Sequence, residues 1–194
     1  MKHSKAIEYN LNCHISIMLG ILDDKALIQS ISNVAEVMVD CLTKGGMIAF
    51  CGNGGSASQA QHFAAELMGR FIANRKPYKA IALTADTAVL TTIANDYDFY
   101  DIFARQVEGL LCERDCLVIL STSGASPNCI RACYEANRQG ITSVAITGEP
   151  SPNNICDRNT DHSICIPAVG AARIQEATLV IGHIICGIIE QELQ

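Results

Sequence analysis

Apolar residues recur at helical spacing through the first part of the chain. One series, spaced three or four residues apart, consists of Ile7, Leu11, Ile15, Leu19 and Leu22. A second series with the same period consists of Leu27, Ile31, Val34, Met38 and Leu42. Such spacing is typical of one face of an α-helix. Asp23-Asp24 supplies an N-cap between the two series, and Lys44-Gly45-Gly46 ends the second one. The pattern predicts two N-terminal helices.

Short apolar runs then alternate with further helical patterns. The runs predict five strands, at Met47–Cys51, Lys79–Thr84, Cys116–Leu120, Thr142–Thr147 and Ser163–Ile166. Helices are predicted from the first glycine-rich turn to about Gly69, over Thr87–Ile93, over Ile102–Leu111, from Pro127 to near Gln139, and over Ala172–Glu192. Polar loops are expected at Asn95–Asp98 and Gly148–Asp161. Nearly all-apolar strands alternating with helices predict an α/β fold with a parallel five-stranded sheet covered on both faces.

The length of 194 residues predicts one domain, with a helical pair over residues 1–44 and an α/β core over residues 45–194. The formal net charge of −6 and the lack of a basic run argue against a nucleic-acid partner. A phosphorylated small molecule is still compatible with this charge. The N-terminus does not resemble a signal peptide. The longest apolar run, 177–189, is shorter than the roughly 20 residues of a membrane span, so we expect a soluble protein without a membrane partner.

The ten cysteines do not have the spacing of a zinc or disulfide framework. Cys112/Cys116 and Cys129/Cys133 are helix-spaced pairs rather than C-x-x-C motifs. Four cysteines lie inside apolar runs, where cysteine behaves as a small hydrophobic residue: Cys51, Cys116, Cys165 and Cys186. The pattern predicts buried, reduced thiols and a reducing cytosol.

Two polar turns connect a predicted strand to a predicted helix. We call Gly52–Ser56 (GNGGS) the glycine turn and Ser121–Ser126 (STSGAS) the serine turn. Backbone N–H groups and hydroxyls at a helix start suit a phosphate. Ser126 is also placed to cap a helix that begins with Pro127. An ordinary capped loop explains the serine turn alone equally well, but two such turns together favour phosphate binding. Neither turn matches the nucleotide-binding glycine motifs.

His62 and Glu66 are four residues apart and so lie on one face of a helix whose other residues are mostly apolar. They are either a surface ion pair or half of a shared site. Gln175 and His183 interrupt the apolar last helix. A lone histidine on such a helix is usually a core residue, but a second histidine of this kind favours a His/Glu/His site.

These motifs resemble a known family. CGNGGSASQAQHFAAELMGR at residues 51–70, STSG at residues 121–124, and ARIQE followed by His183 are together similar to the sedoheptulose-7-phosphate (phosphoheptose) isomerases, which belong to the sugar isomerase (SIS) domain group. The resemblance runs from about Leu27 to Glu192. It implies a flavodoxin-like three-layer sandwich, a homotetramer with active sites between subunits, and an aldose–ketose isomerase. Such an enzyme takes part in the first step of ADP- or GDP-heptose synthesis, usually for the lipopolysaccharide core.

The resemblance also implies roles for individual residues. One Zn²⁺ per subunit would be held by His62, Glu66, Gln175 and His183. The phosphate would lie on Ser56, Ser121, Ser123 and Ser126, with Thr122 close to the sugar. The remaining substrate-binding residues would be Asn53, Gly54, Arg70, Asn95 and Asp96, with Gln175 serving the substrate as well. Proton transfer from C1 to C2 through an enediol requires a base and an acid. Our hypothesis is that Glu66 is the base and His183 the acid.

The chain departs from the family pattern at two positions, since Gln59 and Ala172 stand where many or some members have Asp. A geometric problem arises too, because Gln175 and His183 are eight residues apart, or about 12 Å along one helix. Either Gln175 lies in a frayed first turn or the ligands come from different chains. The alternative function is a non-catalytic SIS scaffold similar to the bacterial DnaA initiator-associating protein, whose relatives lack the equivalents of Glu66 and His183.

Overall fold

The structure is a computed structural model that describes residues 2–149, 154–155 and 160–194. Most of the predicted loop at residues 148–161, and Cys156 within it, therefore lies outside the described residues. The helices are α1 (Ser4–Asp23), α2 (Lys25–Thr43), α3 (Gly55–Met68), α4 (Thr87–Asp96), α5 (Ala104–Leu110), α6 (Pro127–Arg138) and α7 (Ala171–Glu192). The strands are β1 (Ile48–Gly52), β2 (Ala80–Ala82), β3 (Cys116–Ser121), β4 (Thr142–Thr147) and β5 (His162–Cys165).

All four strand pairings are parallel, and the strand order is β2-β1-β3-β4-β5. This is the flavodoxin-like order of a doubly wound sheet. The central strands β1 and β3 are buried along their whole length, as expected for strands covered on both faces. The predicted α/β three-layer sandwich is confirmed.

Two hydrophobic cores lie on the two faces of the sheet. One core contains apolar side chains of α2, α3 and α7, including Met38, Phe63 and Ile185. The other is formed by α4, α5 and α6, and includes Ile93, Val107 and Cys133. Because α3 and α7 share a face, their side chains can meet between them.

Several predicted boundaries were wrong by a few residues. The second strand is shorter than predicted, and the helix predicted over Ile102–Leu111 is the shorter α5, which a 3-10 turn at Phe99–Asp101 precedes. Asn95 and Asp96 belong to the last turn of α4 rather than to a polar loop. Asp86 caps the start of this helix. The helix continues past Ile93, the apolar residue at which the sequence-based prediction ended it.

The two N-terminal helices differ in how they are covered. Asp24 accepts hydrogen bonds from the N–H groups of Ala26 and Leu27, as the N-cap prediction requires. Helix α2 then buries its apolar face against the sheet. Helix α1 instead leaves its whole apolar series, Ile7, Leu11, Ile15, Leu19 and Leu22, 52 to 60% exposed. The predicted helices are present, but only one of the two apolar faces is buried within the chain.

Helix α7 has 22 residues and contains an 18-residue stretch with a mean hydropathy of 1.4, so by length and composition it could cross a membrane. Its burial explains this apolarity. Nine of its residues are buried against the sheet and its neighbours, among them Ile181, Ile189 and the ion-paired Glu190. Its composition is therefore that of a core helix.

Nine cysteines lie in the described residues, and none of these nine is in a disulfide. Of the four placed in apolar runs by the sequence, Cys51, Cys116 and Cys186 are buried and Cys165 is half-buried. Burial, with the charge of Glu66 adding to it, raises the pKa of Cys186 to about 12. Such thiols stay protonated and unreactive at neutral pH.

Candidate active site

The two predicted turns lie side by side at the carboxyl edge of the sheet. The glycine turn follows β1, the serine turn follows β3, and these strands are neighbours. The chain leaves β1 towards β2 on one side, whereas β4 and β5 lie on the other, so the strand order reverses here. Ligands of doubly wound folds bind in the crevice at this switch point.

A pair of side-chain amides joins the glycine turn to the first turn of α6, directly after the serine turn. Asn53 Nδ2 donates to Asn128 Oδ1, and Asn128 Nδ2 donates to Asn53 Oδ1, both at 2.8 Å. Asn128 lies in the first turn of α6 and is buried. Sequence reasoning missed Asn128, whose position directly after the Pro that begins the predicted helix was the signal available. The bonds hold the predicted phosphate-binding turns at a fixed separation.

Helices α3 and α6 begin at these turns without a side-chain cap. Ser126 occupies the N-cap position of α6, as predicted, but its hydroxyl lies 3.4 Å from that of Ser121 instead of capping the helix. Elsewhere Asp24 and Asp86 cap α2 and α4 with their carboxylates. Helix starts without a carboxylate present their N–H groups and positive dipole ends to an external anion.

The backbone of both turns depends on positive φ angles. Gly54 has a φ of 56° and Gly124 a φ of 64°, a region that favours glycine. Within the serine turn, Ala125 N–H donates to Ser123 Oγ at 3.2 Å. Ser56, at the start of α3, is buried. The structure thus brings the four predicted phosphate serines to two adjacent helix starts.

Helices α3 and α7 run parallel, in close contact. Both helices start at the carboxyl edge of the same sheet. Residues early in α3 contact residues early in α7, and later residues contact later ones: Gly55 faces Gln175, and Phe63 faces Gly182. A Cβ at residue 182 would overlap the ring of Phe63. This glycine therefore allows the close approach that brings side chains of the two helices together.

Beside Phe63 and Gly182, three chemical side chains converge. His62 Nε2 lies 2.8 Å from His183 Nε2 and 3.4 Å from Glu66 Oε1. One ligand atom from each residue lies within 4.8 Å of the others. We call His62, Glu66 and His183 the His–Glu cluster. A single chain thus brings together the three side chains of the predicted His/Glu/His site.

The His–Glu cluster is neither a surface pair nor a sealed core. The side chain of His62 is 41% exposed and that of Glu66 21% exposed, so a ligand can reach them. Phe63 and Phe71 pack their rings 6.2 and 5.5 Å from the ring of His183. A Nε2–Nε2 bond needs one proton between two imidazoles. An open His–His–Glu group with apolar walls can bind a cation or move a proton.

Gln175 is not beside the His–Glu cluster. It lies after the first turn of the continuous helix α7, so a frayed first turn does not bring Gln175 to His183. Its side chain faces Gly55, about 12 Å along the helix from His183. Gln59, at a departure from the family pattern, donates from Nε2 to the carbonyl of Gln175 at 2.7 Å. A carboxylate could not make that bond, so Gln59 links the two helices. Ala172, the other departure, is exposed.

Three of the predicted substrate-binding residues, which we call the outer residues, are placed apart by the chain: Arg70, Asn95 and Asp96. Arg70 is exposed just after α3, on one face of the sheet. Asn95 and Asp96 are exposed at the end of α4, on the other face, and bond to each other at 2.7 Å. The sheet therefore lies between Arg70 and the other two residues.

Comparison with known proteins agrees with the fold. A family model described as the SIS domain matches residues 21–148, and the chain is therefore an SIS-domain protein. Phosphoheptose isomerase 1 of Campylobacter jejuni is 45% identical over 163 residues, covering 83% of this chain and 86% of the relative. The phosphoheptose isomerase of Clostridium acetobutylicum is 40% identical, with coverage of 96% and 94%.

A solved structure of a phosphoheptose isomerase from Francisella tularensis is 37% identical and covers 98% of this chain and 99% of its own, with a TM-score of 0.90. Similarity of this extent in both sequence and structure reaches beyond the SIS domain in general. The chain belongs to the phosphoheptose isomerase family.

Proposed function

We propose that the chain is an isomerase that converts D-sedoheptulose 7-phosphate into D-glycero-D-manno-heptose 7-phosphate. The observation that carries this proposal is the His–Glu cluster, within a chain of this family. The cluster also argues against the scaffold alternative. A scaffold has no need of an accessible carboxylate and two imidazoles within hydrogen-bonding distance.

The reaction moves a proton between C1 and C2 through an enediol, while the two oxygens exchange their roles as carbonyl and hydroxyl. We assign Glu66 to take the carbon-bound proton, because a carboxylate accepts protons and this one is reachable from solvent. His183 supplies a proton to the oxygen. An imidazole has two nitrogens, so one can carry a proton while the other faces the cluster.

The donor set of the cluster suits Zn²⁺. Two imidazole nitrogens and a carboxylate are common zinc ligands, and the present separations of 2.8 and 3.4 Å are close to the roughly 3.4 Å between ligands of one tetrahedral ion. His62, Glu66 and His183 would hold it. Gln175 would join them only from a second chain. The bound ion would polarise the substrate's carbonyl.

The phosphate is assigned to the glycine and serine turns, through Ser56, Ser121, Ser123 and Ser126, with Thr122 near the sugar. Along α3, Gly55 and His62 are separated by about 10 Å, which is comparable to the length of a seven-carbon sugar phosphate. Binding energy at the phosphate would fix C1 and C2 against the catalytic groups.

We further propose a homotetramer with active sites between subunits. The exposed apolar series on α1 is best covered by a second copy of the chain. The separation of Arg70 from Asp96 across the sheet supports the same arrangement, because a neighbouring subunit could supply the missing side of each pocket. A cytoplasmic enzyme supplying heptose for the lipopolysaccharide core is the setting implied by the family.

The test is turnover of sedoheptulose 7-phosphate by metal-stripped and by zinc-restored protein, with the aldose product identified by NMR. We expect little turnover without metal and recovery with one zinc per subunit. Turnover that is full without metal would overturn the zinc assignment. Absence of product in both samples, from folded protein, would overturn the isomerase.

A further inference from the structure

The segment between α3 and β2 is held by a buried ion pair. Arg75 Nε donates to Glu190 Oε2 at 3.0 Å, and the two side chains are only 6% and 4% exposed. Buried charges are rare unless paired, and removing one partner leaves the other unpaired in the interior. We call Arg75 and Glu190 the clamp. It joins the segment at residues 69–79 to the last turns of α7.

The Glu190 carboxylate also fixes the backbone of this segment. It accepts hydrogen bonds from the N–H groups of Phe71, Ile72 and Ala73 at 3.3, 2.9 and 2.7 Å. Burial opposes ionisation, but these donors and Arg75 outweigh it and hold the pKa of Glu190 below its usual range. The carboxylate is thus charged at neutral pH, with donors on both oxygens.

Arg75 extends the clamp to the end of α3. Its guanidinium donates to the carbonyls of Glu66 and Leu67 at 2.7 and 2.8 Å. The last carbonyls of a helix have no partner within the helix, so Arg75 serves as a side-chain cap there. One ion pair therefore joins the turn of α3 that carries Glu66 to the helix that carries His183.

We propose that Arg75 and Glu190 are positioning residues, which set the geometry of the His–Glu cluster from the end of α3 and the last turns of α7. The clamp fixes the helical turn that carries Glu66. It also holds Phe71 in place, so that the ring of Phe71 packs against that of His183 with centroids 5.5 Å apart. Neither residue touches the cluster's reactive atoms. This inference rests on the proposed isomerase activity for its kinetic test, but its structural test is independent of that activity.

The test is Glu190→Gln, which keeps the size of the side chain and removes the charge. Misplacement of catalytic groups by about 1 Å can cost ~10²-fold, so we expect kcat to fall about 10- to 100-fold. We expect KM to change by less than about threefold, because uniform binding at the phosphate turns is untouched.

The matched control is Asp115→Asn. Asp115 is similarly buried and accepts from the N–H groups of Met47 and Cys112, which precede β1 and β3 and belong neither to α3 nor to α7. We expect a similar loss of thermal stability with kcat unchanged. Equal kcat values for the two folded variants would overturn the proposal.

If Glu190→Gln does not fold, Arg75→Lys provides the same comparison, because lysine keeps the charge but cannot reach both Glu190 and the carbonyls of α3. The independent readout is the NMR contact between the Phe71 ring and the His183 imidazole in metal-free protein. We expect that contact to be lost in either variant and retained in Asp115→Asn. Its retention in all three would overturn the proposal even if the wild-type protein proved not to be an isomerase.

Discussion

A single chain brings the residues of the His–Glu cluster together, but it places the predicted outer substrate-binding residues apart. His62, Glu66 and His183 converge within 4.8 Å because α3 and α7 pack on the same face of the sheet. Arg70 and Asp96 lie on opposite faces and are exposed. The difference supports the proposal that the catalytic groups come from the fold of one subunit and that a second subunit completes the enclosure of the sugar.

The largest effect is expected at the cluster itself. Replacing Glu66 with Gln keeps the shape and removes the base, so kcat should fall by ~10²–10⁴, the usual contribution of general acid–base catalysis. Steady-state kinetics with sedoheptulose 7-phosphate provide the measurement. Glu36→Gln, at an exposed glutamate of α2, is the control and should leave kcat unchanged. A Glu66→Gln enzyme with near-normal kcat would show that the base is another group.

Assembly should be the next most sensitive feature. Leu11→Glu puts a charge in the exposed apolar series of α1, and we expect the oligomer to dissociate, with turnover falling roughly tenfold or more as pockets lose their second side. Light scattering coupled to size-exclusion chromatography measures the mass.

The matched control is Leu110→Glu, the same substitution at an exposed leucine of α5. It should change neither mass nor turnover. A fully active monomer of Leu11→Glu would show that a single chain suffices for catalysis. It would contradict the inference that the outer residues act from a second subunit.

A smaller effect is expected at the serine turn. Ser121→Ala removes a hydroxyl at the end of β3, and a hydrogen bond to a charged group contributes about 1.5–3 kcal/mol. We expect KM to rise roughly tenfold with kcat less affected. Ser30→Ala, which removes an exposed hydroxyl on α2, is the control. An unchanged KM for Ser121→Ala would place the phosphate elsewhere.

The sequence predicted most of the fold because helices show an apolar period and the buried strands are short apolar runs. It also identified His62, Glu66 and His183, since polar residues on apolar helices are conspicuous. It could not predict which apolar face stays exposed, because the series of α1 and α2 look alike and only tertiary packing distinguishes them. Asn128, Arg75 and Glu190 escaped notice for a similar reason: their importance lies in partners distant in sequence.

The smallest predicted effect concerns the packing that brings the cluster together. A Cβ at Gly182 would overlap the Phe63 ring, and overpacking of a core typically costs 1–3 kcal/mol. We therefore expect Gly182→Ala to lower the free energy of unfolding by about that amount, measured by urea denaturation, and to separate His62 from His183. Gly20→Ala is the opposite case, since a Cβ there meets nothing within 4 Å and alanine inside a helix should stabilise by about 0.5–1 kcal/mol. If both substitutions stabilised the protein, the close approach of α3 and α7 would not depend on Gly182. The convergence of His62, Glu66 and His183 would then need another cause.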